Sequence, residues 1–203
     1  MTPRLNIAIL LLGLGTILAF LPYNPSKTFR LQPDELLAMS LNDESYLSVD
    51  QVARFINNED TSIQLIDLRT DAEFMECNIP GSINIPFNDL LNPDWEGYLN
   101  QKKVKNIFYS NDDQNASLAW TIVSGLGYEN NFMMRGGMNE WFRTVMLSKF
   151  EGEHISAREN VLFENRLKAR RTFTQINSLP DSLKRQYLEA KRLEESQLDG
   201  GCE

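Results

Sequence analysis

The sequence has few of the residues that most often carry metal, redox or acid-base chemistry. It contains one histidine, His154, and two cysteines, Cys77 and Cys202, among 203 residues. These residues make neither a disulfide framework nor a metal-ligand spacing, although a single Cys77–Cys202 disulfide stays an open alternative. The sequence therefore predicts no metal site and no cofactor.

Positive charge is also scarce in most of the chain. The net charge is −8, and residues 31–153 contain eight basic and twenty acidic residues. An acidic body repels the phosphate backbone, so we expect no nucleic-acid partner. The length, with 42% hydrophobic and 24% charged residues, indicates one folded domain with appendages.

The longest apolar run is Leu5–Leu21, which Pro22 ends. Its seventeen residues are at the short end for a bilayer-spanning helix and show no good cleavage site, which favours an uncleaved membrane anchor over a cleaved signal peptide. Arg4 favours an N-terminus inside, whereas Lys27 and Arg30 pull the other way. We expect a membrane-anchored protein with an exported body, periplasmic if bacterial; exposure at the cytoplasmic face is the alternative.

The middle of the chain alternates strands and helices. The predicted strands are Ile63–Leu68, a short strand between Gly81 and Pro86, Val104–Tyr109 and Asn131–Met134. The predicted helices are Asp34–Ser40, Ser48–Asn57, Asp71–Glu76, Asp94–Asn100, Asn115–Leu126 and one from Met138 onward. This alternation is typical of a parallel α/β sheet with helices on both faces. The predicted units are 1–22 (anchor or signal), 23–47 (linker and short helix), 48–150 (domain) and 151–203 (C-terminal helical extension with a flexible tail).

Two polar helices, Ser156–Asn177 and Pro180–Leu198, are predicted in the extension. Their apolar stripes consist of Val161, Leu162, Leu167, Phe173 and Ile176 in the first, and Leu183, Tyr187, Leu188 and Leu193 in the second. We expect an antiparallel hairpin that packs on the body or on a protein partner. The basic run Arg166, Lys168, Arg170, Arg171 is interpreted as a solvated face, with contact to lipid headgroups as the alternative.

One loop holds the candidate site. The strand that ends at Tyr109 runs into Ser110, Asn111, Asp112, Asp113, Gln114 and Asn115, and a helix is predicted to open near Asn115. A strand that stops where a helix starts directs backbone N–H groups into one small bowl, at the sheet edge where ligands usually bind. The bowl contains no Cys, His, Arg or Lys.

Four motifs in this order resemble the rhodanese-like domain. They are Ile66-Asp67-Leu68-Arg69 followed by Glu73-Phe74; Ile79 through Pro86; the strand, loop and helix of Ile107–Trp120; and Gly125-Leu126-Gly127-Tyr128 leading to Gly136 through Trp141. The resemblance covers about half of the chain, from Ser48 to near Ser148. It implies a rhodanese-like α/β fold for that part of the chain only.

In this family, active members carry sulfur as a persulfide on a loop cysteine, which corresponds here to Ser110. The family's loop glycine falls at Asp113 and its arginine at Asn115. A serine hydroxyl is too weak an acid to accept sulfur near neutral pH, and Asp112 and Asp113 place negative charge where an anionic sulfur donor would bind. The resemblance therefore implies a degenerate site without sulfurtransferase or phosphatase activity.

Asp67 and Arg69 match the family pattern, and the resemblance implies that they support the loop structurally. Cys77 and Asn78 depart from it, standing where the family often has Gly and His. We interpret Cys77 as a buried structural thiol and Trp141 as a core residue.

The resulting prediction is a non-enzymatic, membrane-tethered binding or scaffold module that meets a protein partner through its loop or its C-terminal helices. The alternative is a sulfur-relay protein in which Cys202, on a Gly-Gly hinge, carries the sulfur. Against it, Asp199 and Glu203 would raise the pKa of that thiol. A hydrolase built on Ser110 and His154 is disfavoured because no Gly-x-Ser-x-Gly elbow is present.

Overall fold

The computed structural model describes residues 28–40, 43–149 and 156–196, together with residues 7, 10–13 and 16. The strands are β1 Tyr46–Leu47, β2 Ile63–Asp67, β3 Ser82–Asn84, β4 Lys105–Tyr109 and β5 Asn131–Met134. The helices are α1 Pro33–Ser40, α2 Val49–Asn57, α3 Asp71–Glu76, α4 Glu96–Leu99, α5 Asp113–Gly125, α6 Gly137–Trp141, α7 Ala157–Asn177 and α8 Asp181–Ser196. A π-helical turn, Phe142–Met146, continues α6, and short 3₁₀ turns lie at Asp43–Ser45, Phe87–Asp89 and Pro93–Trp95.

The strands form one parallel sheet in the order β1-β5-β4-β2-β3. The predicted parallel α/β architecture is therefore confirmed. The edge strand β1 was not predicted, because two residues before a helix cap give no periodic signal. It pairs with β5 through Tyr46 opposite Met133 and Leu47 opposite Met134.

Alternate residues of the central strands pack into the hydrophobic cores on opposite faces of the sheet. In β4, Ile107 and Tyr109 belong to the core cluster on one face, and Phe108 belongs to the cluster on the other. In β2, Leu65 and Ile66 divide in the same way. Because both faces are covered, all five residues of β2 are buried, as expected for the centre of a parallel sheet.

Helix α7 is part of the domain's core rather than a detached extension. It lies against α2 and the π-helical turn. Its Phe173 is 4% exposed, with its ring centroid 6.2 Å from that of Trp141 and 5.6 Å from that of Phe142. The predicted burial of Phe173 and Trp141 is confirmed, whereas Val161 of the same predicted stripe is 64% exposed.

The basic run on α7 holds this helix on the domain. Arg166 binds Asp50 with two hydrogen bonds of 2.7 and 2.6 Å. Lys168 Nζ donates to the carbonyl of Asn57, the last residue of α2, at 2.6 Å. The interpretation of the run as a solvated face is therefore wrong for Arg166 and Arg170, which are half-buried, whereas Lys168 and Arg171 are exposed.

Arg170 binds the chain beyond α6. Its guanidinium donates to the carbonyl of Val145 at 3.2 and 3.0 Å and to that of Ser148 at 2.7 Å. A cationic side chain that donates to the last carbonyls of a helical segment is a favourable contact. Arg171, the last residue of the run, is exposed and makes no such contact with the described residues.

Helix α8 packs elsewhere, against β3 and α4. Both C-terminal helices thus pack on the body, one of the two arrangements that the sequence left open, but the predicted stripe on α8 is wrong at both ends. Leu183 and Leu193 are more than half exposed, and Lys184 is 1% exposed in their place. A search for apolar residues at helical spacing cannot identify Lys184, because this lysine is buried through the hydrogen bonds that it donates.

Lys184 binds the end of α3. Its Nζ donates to the carbonyl of Met75 at 2.6 Å and to that of Glu76 at 3.2 Å. Burial lowers the pKa of Lys184 from its ordinary value near 10.5, although acidic neighbours oppose this effect. Lys184 therefore joins α8 to α3 by hydrogen bonds, and the burial of its amine disfavours the charged form of that group.

Replacing Lys184 with methionine should lower the free energy of unfolding by about 1–3 kcal/mol at pH 7, because two carbonyls lose their donor. Because the pKa of Lys184 is lowered in the folded state, the unfolded state binds more protons between that pKa and 10.5. The free energy of unfolding of the wild type should therefore increase as pH rises through this interval. Urea unfolding at neutral and alkaline pH measures both effects. Lys103→Met, at an exposed position, is the control; equal pH slopes for wild type and Lys184→Met would contradict the assignment.

Part of the predicted linker lies on α5. The N–H groups of Arg30 and Leu31 both donate to the carbonyl of Gly125, at 2.7 and 3.3 Å. The ring of Phe29 lies over the same glycine, where an added Cβ would come within 2.5 Å of it. A side chain at position 125 would therefore displace this segment.

The membrane-anchored localisation expected above is contradicted. No helix within the described residues combines the length and the apolar character that crossing a bilayer requires. Most of the predicted anchor, Leu5–Leu21, lies outside the described residues, as do His154 and Cys202.

Candidate functional site

The candidate loop is held against the start of α6. Ser110 is 4% exposed, and its carbonyl accepts from the N–H of Met138 at 2.8 Å. The carbonyl of Asn111 accepts from the N–H of Asn139 at 3.1 Å. Only glycine suits position 137 between them: its φ is +55°, and a Cβ there would lie 2.4 Å from the carbonyl oxygen of Ser110.

Helix α5 begins two residues earlier than predicted, at Asp113 rather than Asn115. Asp112 is its N-cap, and Asp112 Oδ1 accepts from the N–H of Gln114 at 2.9 Å. Aspartate is among the favoured N-cap residues, so the sequence did contain the signal for this start.

The second carboxylate of the loop faces α6. Asp113 Oδ1 accepts from the N–H of Gly136 at 2.5 Å. Together with the cap at Gln114, this contact means that two amide donors at the site already bind the chain's own carboxylates. The bowl therefore offers an anion fewer donors than a helix start normally provides.

Glu73 adds a third carboxylate, which sequence reasoning did not assign to the site. Its Oε1 accepts from Asn111 Nδ2 at 2.8 Å, and its Oε2 accepts from Thr70 at the cap of α3. Hydrogen bonds from Thr70 and then from Asn111 lower the pKa of Glu73, so this carboxyl is ionised at neutral pH. The capping-box spacing of Thr70 and Glu73 was visible in the sequence, but the contact across to Asn111 was not.

Asp67 and Arg69 lie buried at the end of β2, beside the last residues of β4. Arg69 Nη2 lies 2.6 Å from Asp67 Oδ2, and Arg69 Nε lies 3.0 Å from Asp67 Oδ1. Burial raises the pKa of Asp67, against hydrogen bonds from Arg69 that lower it. Burial would lower the pKa of Arg69, but its bonds to Asp67 raise it overall, so the guanidinium stays charged.

A tyrosine extends this buried network. Tyr109 Oη donates to Ser82 Oγ at 2.8 Å and accepts from the N–H of Ile79 at 3.3 Å. The hydroxyl is fully enclosed, and burial raises its pKa well above the ordinary value of 10.0. Tyr109 thereby ties β4 to the turn that precedes β3, immediately before Ser110.

Cys77, the one thiol in the described ranges, is half-buried rather than fully buried. It follows the last residue of α3; its N–H donates to the carbonyl of Glu73, and its carbonyl accepts from Arg69 Nη2 at 2.7 Å. Its side chain packs against the core cluster. In the same part of the chain, no group of three or more His, Cys, Asp or Glu is arranged to hold a metal ion.

The family model that matches this chain is the rhodanese-like domain, over residues 48–144. A curated relative, thiosulfate:glutathione sulfurtransferase of Saccharomyces cerevisiae, is 29% identical over 110 residues, which cover 49% of this chain and 78% of the relative. An uncharacterised protein of Buchnera aphidicola is 31% identical over 100 residues, covering 47% of this chain and 66% of that protein. The centrosomal protein of 41 kDa of Gallus gallus is 27% identical over 106 residues, covering 49% of this chain and 29% of its own length.

Solved structures are also similar to part of the chain. A human single-domain sulfurtransferase is 21% identical with a TM-score of 0.40, covering 49% of this chain and 96% of that one. A protein of Bacillus halodurans is 23% identical with a TM-score of 0.47, covering 64% of this chain and 99% of that one.

Proposed function

Because residues 48–144 form a rhodanese-like domain, we propose that this domain is a catalytically inactive binding module whose loop Ser110–Asn115 contacts a partner. The observation that carries the proposal is the chemistry of that loop. Its strand-end residue is a nearly buried serine, and its two carboxylates bind amide donors of the site.

Sulfur transfer needs a nucleophile whose anion exists at neutral pH. A cysteine thiolate meets this need, because a helix start and basic neighbours lower its pKa. Ser110 supplies a hydroxyl instead, and its surroundings are acidic. One of the curated relatives is called a sulfurtransferase, but the residue that we align with the sulfur-carrying cysteine of active members is a serine here.

The same surroundings favour a different ligand. Asp112, Asp113 and Glu73 place three carboxylates around the loop, and Asn111 is fixed by Glu73. Carboxylates attract cationic groups, whereas each close approach of an anion costs on the order of 1 kcal/mol or more. The proposed partner therefore presents a positively charged or amide-bearing side chain to this loop.

Intact mass after incubation with a persulfide donor tests the inactivity. Transfer would move one sulfur atom from the donor to a protein thiolate and release the donor as its thiol. We expect the wild-type chain to gain no sulfur. The variant Ser110→Cys, made in a Cys77→Ser, Cys202→Ser background, then measures whether the loop geometry alone can support sulfur uptake by a thiol at this position.

The cysteine variants separate the alternatives. A gain of one sulfur that only Cys202→Ser abolishes would establish the relay through the C-terminal thiol and overturn the proposal. A gain that only Cys77→Ser abolishes would place a sulfur site at the end of α3 and overturn it equally.

A further inference from the structure

A groove lies between the beginnings of α2 and α7, and its lining contains no residue of the candidate loop. Its volume is about 600 Å³, within the range of small-molecule sites. Its lining includes Asp50, Gln51, Arg54, Arg158, Val161 and Asn165. Nothing in the proposed function makes use of this groove.

The charge of the groove is opposite to that of the domain. Arg54 and Arg158 are exposed, and neither pairs with a carboxylate of the described residues. The one acidic lining residue, Asp50, is neutralised by its two-bond contact with Arg166. The lining therefore presents two guanidinium groups whose charge nothing in the groove compensates.

The polar groups beside the arginines are already fixed by the fold. Gln51 Oε1 accepts from the N–H of Ser48 at 2.8 Å, and Asn165 Nδ2 donates to the carbonyl of Asp50 at 3.3 Å. These contacts hold the walls of the groove in place without engaging Arg54 or Arg158. The groove is consequently shaped before any ligand arrives, which reduces the ordering cost of binding.

One wall is apolar and exposed. Val161 is 64% exposed although it belongs to the apolar stripe that predicts burial, and Ala157 and Leu162 line the groove beside it. The groove therefore combines an exposed apolar surface with two guanidinium groups that pair with no carboxylate of the described residues.

We infer that this groove binds a compact anionic group, carboxylate or phosphoryl, carried on an apolar moiety. Arg54 and Arg158 would bind the anion, since the planar guanidinium matches both oxyanions in bidentate geometry. The apolar moiety would cover Val161 and Leu162. This inference goes beyond the proposed function and does not depend on it.

Two-dimensional amide NMR of the full chain tests it, with phenyl phosphate, phenylacetate and inorganic phosphate as probes and neutral benzyl alcohol as the uncharged comparison. We expect saturable shifts confined to residues 48–54 and 157–165. Arg54→Gln and Arg158→Gln should each weaken the binding of the aromatic anions about five- to tenfold. Arg171→Gln, which removes the same charge from an exposed position on α7, should leave the affinity unchanged.

The probes distinguish the source of the anion. Tighter binding of phenyl phosphate assigns the site to phosphoryl groups, and tighter binding of phenylacetate assigns it to carboxylates; weaker binding of inorganic phosphate than of phenyl phosphate shows that the apolar wall contributes. Three results would overturn the inference: no saturable shift with either aromatic anion, equal shifts with benzyl alcohol, or affinities that both Arg→Gln variants leave intact.

Discussion

Truncating Phe173 to alanine should lower the free energy of unfolding by about 3–5 kcal/mol, the usual cost of removing a buried aromatic side chain. Phe173 is 4% exposed and contacts the rings of Trp141 and Phe142. These contacts join α7 to the helical segment that holds the candidate loop, so the loss falls on the domain core. Urea denaturation followed by tryptophan fluorescence measures it, because Trp141 lies beside the new cavity.

Val161→Ala on the same helix is the matched control for this prediction. Its side chain is 64% exposed, so the change should stay within about 0.5 kcal/mol. A small effect of Phe173→Ala, close to that of the control, would mean that α7 does not pack on the domain in solution. It would also remove the α7 wall of the proposed anion groove.

Most of the sheet was predictable because its residues follow simple periodicities. Short apolar stretches, Leu65–Ile66 in β2 and Ile107–Tyr109 in β4, marked these two strands, and Ser48 as an N-cap marked the start of α2. The two-residue β1 was missed because it owes its existence to pairing with β5 and to nothing in its own pattern. Local pattern thus determines elements long enough to repeat it, and tertiary pairing determines the rest.

The contacts of the C-terminal helices were harder to predict for a different reason. Arg166, Lys168 and Arg170 look like a solvated charge run, yet each reaches a specific acceptor on the domain. Lys184 is buried by hydrogen bonds to two carbonyls of α3. A cation that binds helix-end carbonyls leaves no mark in hydropathy, because its partners are backbone atoms common to every sequence.

The candidate site shows the same difference between features set by local sequence and features set by tertiary contacts. The identities of Ser110, Asp112 and Asp113 could be read directly, and with them the lack of a thiol and the acidic character. The hydrogen bonds between Asp113 and Gly136 and between Asn111 and Glu73 join elements that are distant in sequence. Residue identities therefore indicate which chemical groups the loop contains, but not the contacts that hold them.

Replacing Arg69 with methionine should cost about 3–5 kcal/mol of stability, because it leaves the Asp67 carboxylate buried without its partner. Arg69 makes three side-chain hydrogen bonds to Asp67 and one to the carbonyl of Cys77. Arg135→Met is the matched control, since its ion pair with Asp43 has a similar 2.8 Å separation but lies at the surface, with side chains 55% and 92% exposed. That change should cost no more than about 1 kcal/mol.

Two further measurements show whether the loss comes from the uncompensated charge. In Arg69→Met, the pKa of Asp67 should lie above its unfolded value by more than in the wild type, because burial then acts without the opposing guanidinium. The stability deficit should therefore be largest at neutral pH and shrink as pH falls through the folded-state pKa of Asp67. Adding Asp67→Asn should restore part of the lost stability at neutral pH, on the order of 1 kcal/mol, and should remove this pH dependence.

The outcome also decides what Asp67 and Arg69 do for the loop. If they only support the fold, the double variant should regain part of the lost stability together with the native amide shifts of Ser110 and Asn111. A double variant that is stable but has altered shifts at those two residues would show that the charged pair itself positions the loop. Equal deficits in Arg69→Met and the double variant at every pH would contradict the buried-charge explanation and assign the loss to the hydrogen bond at Cys77.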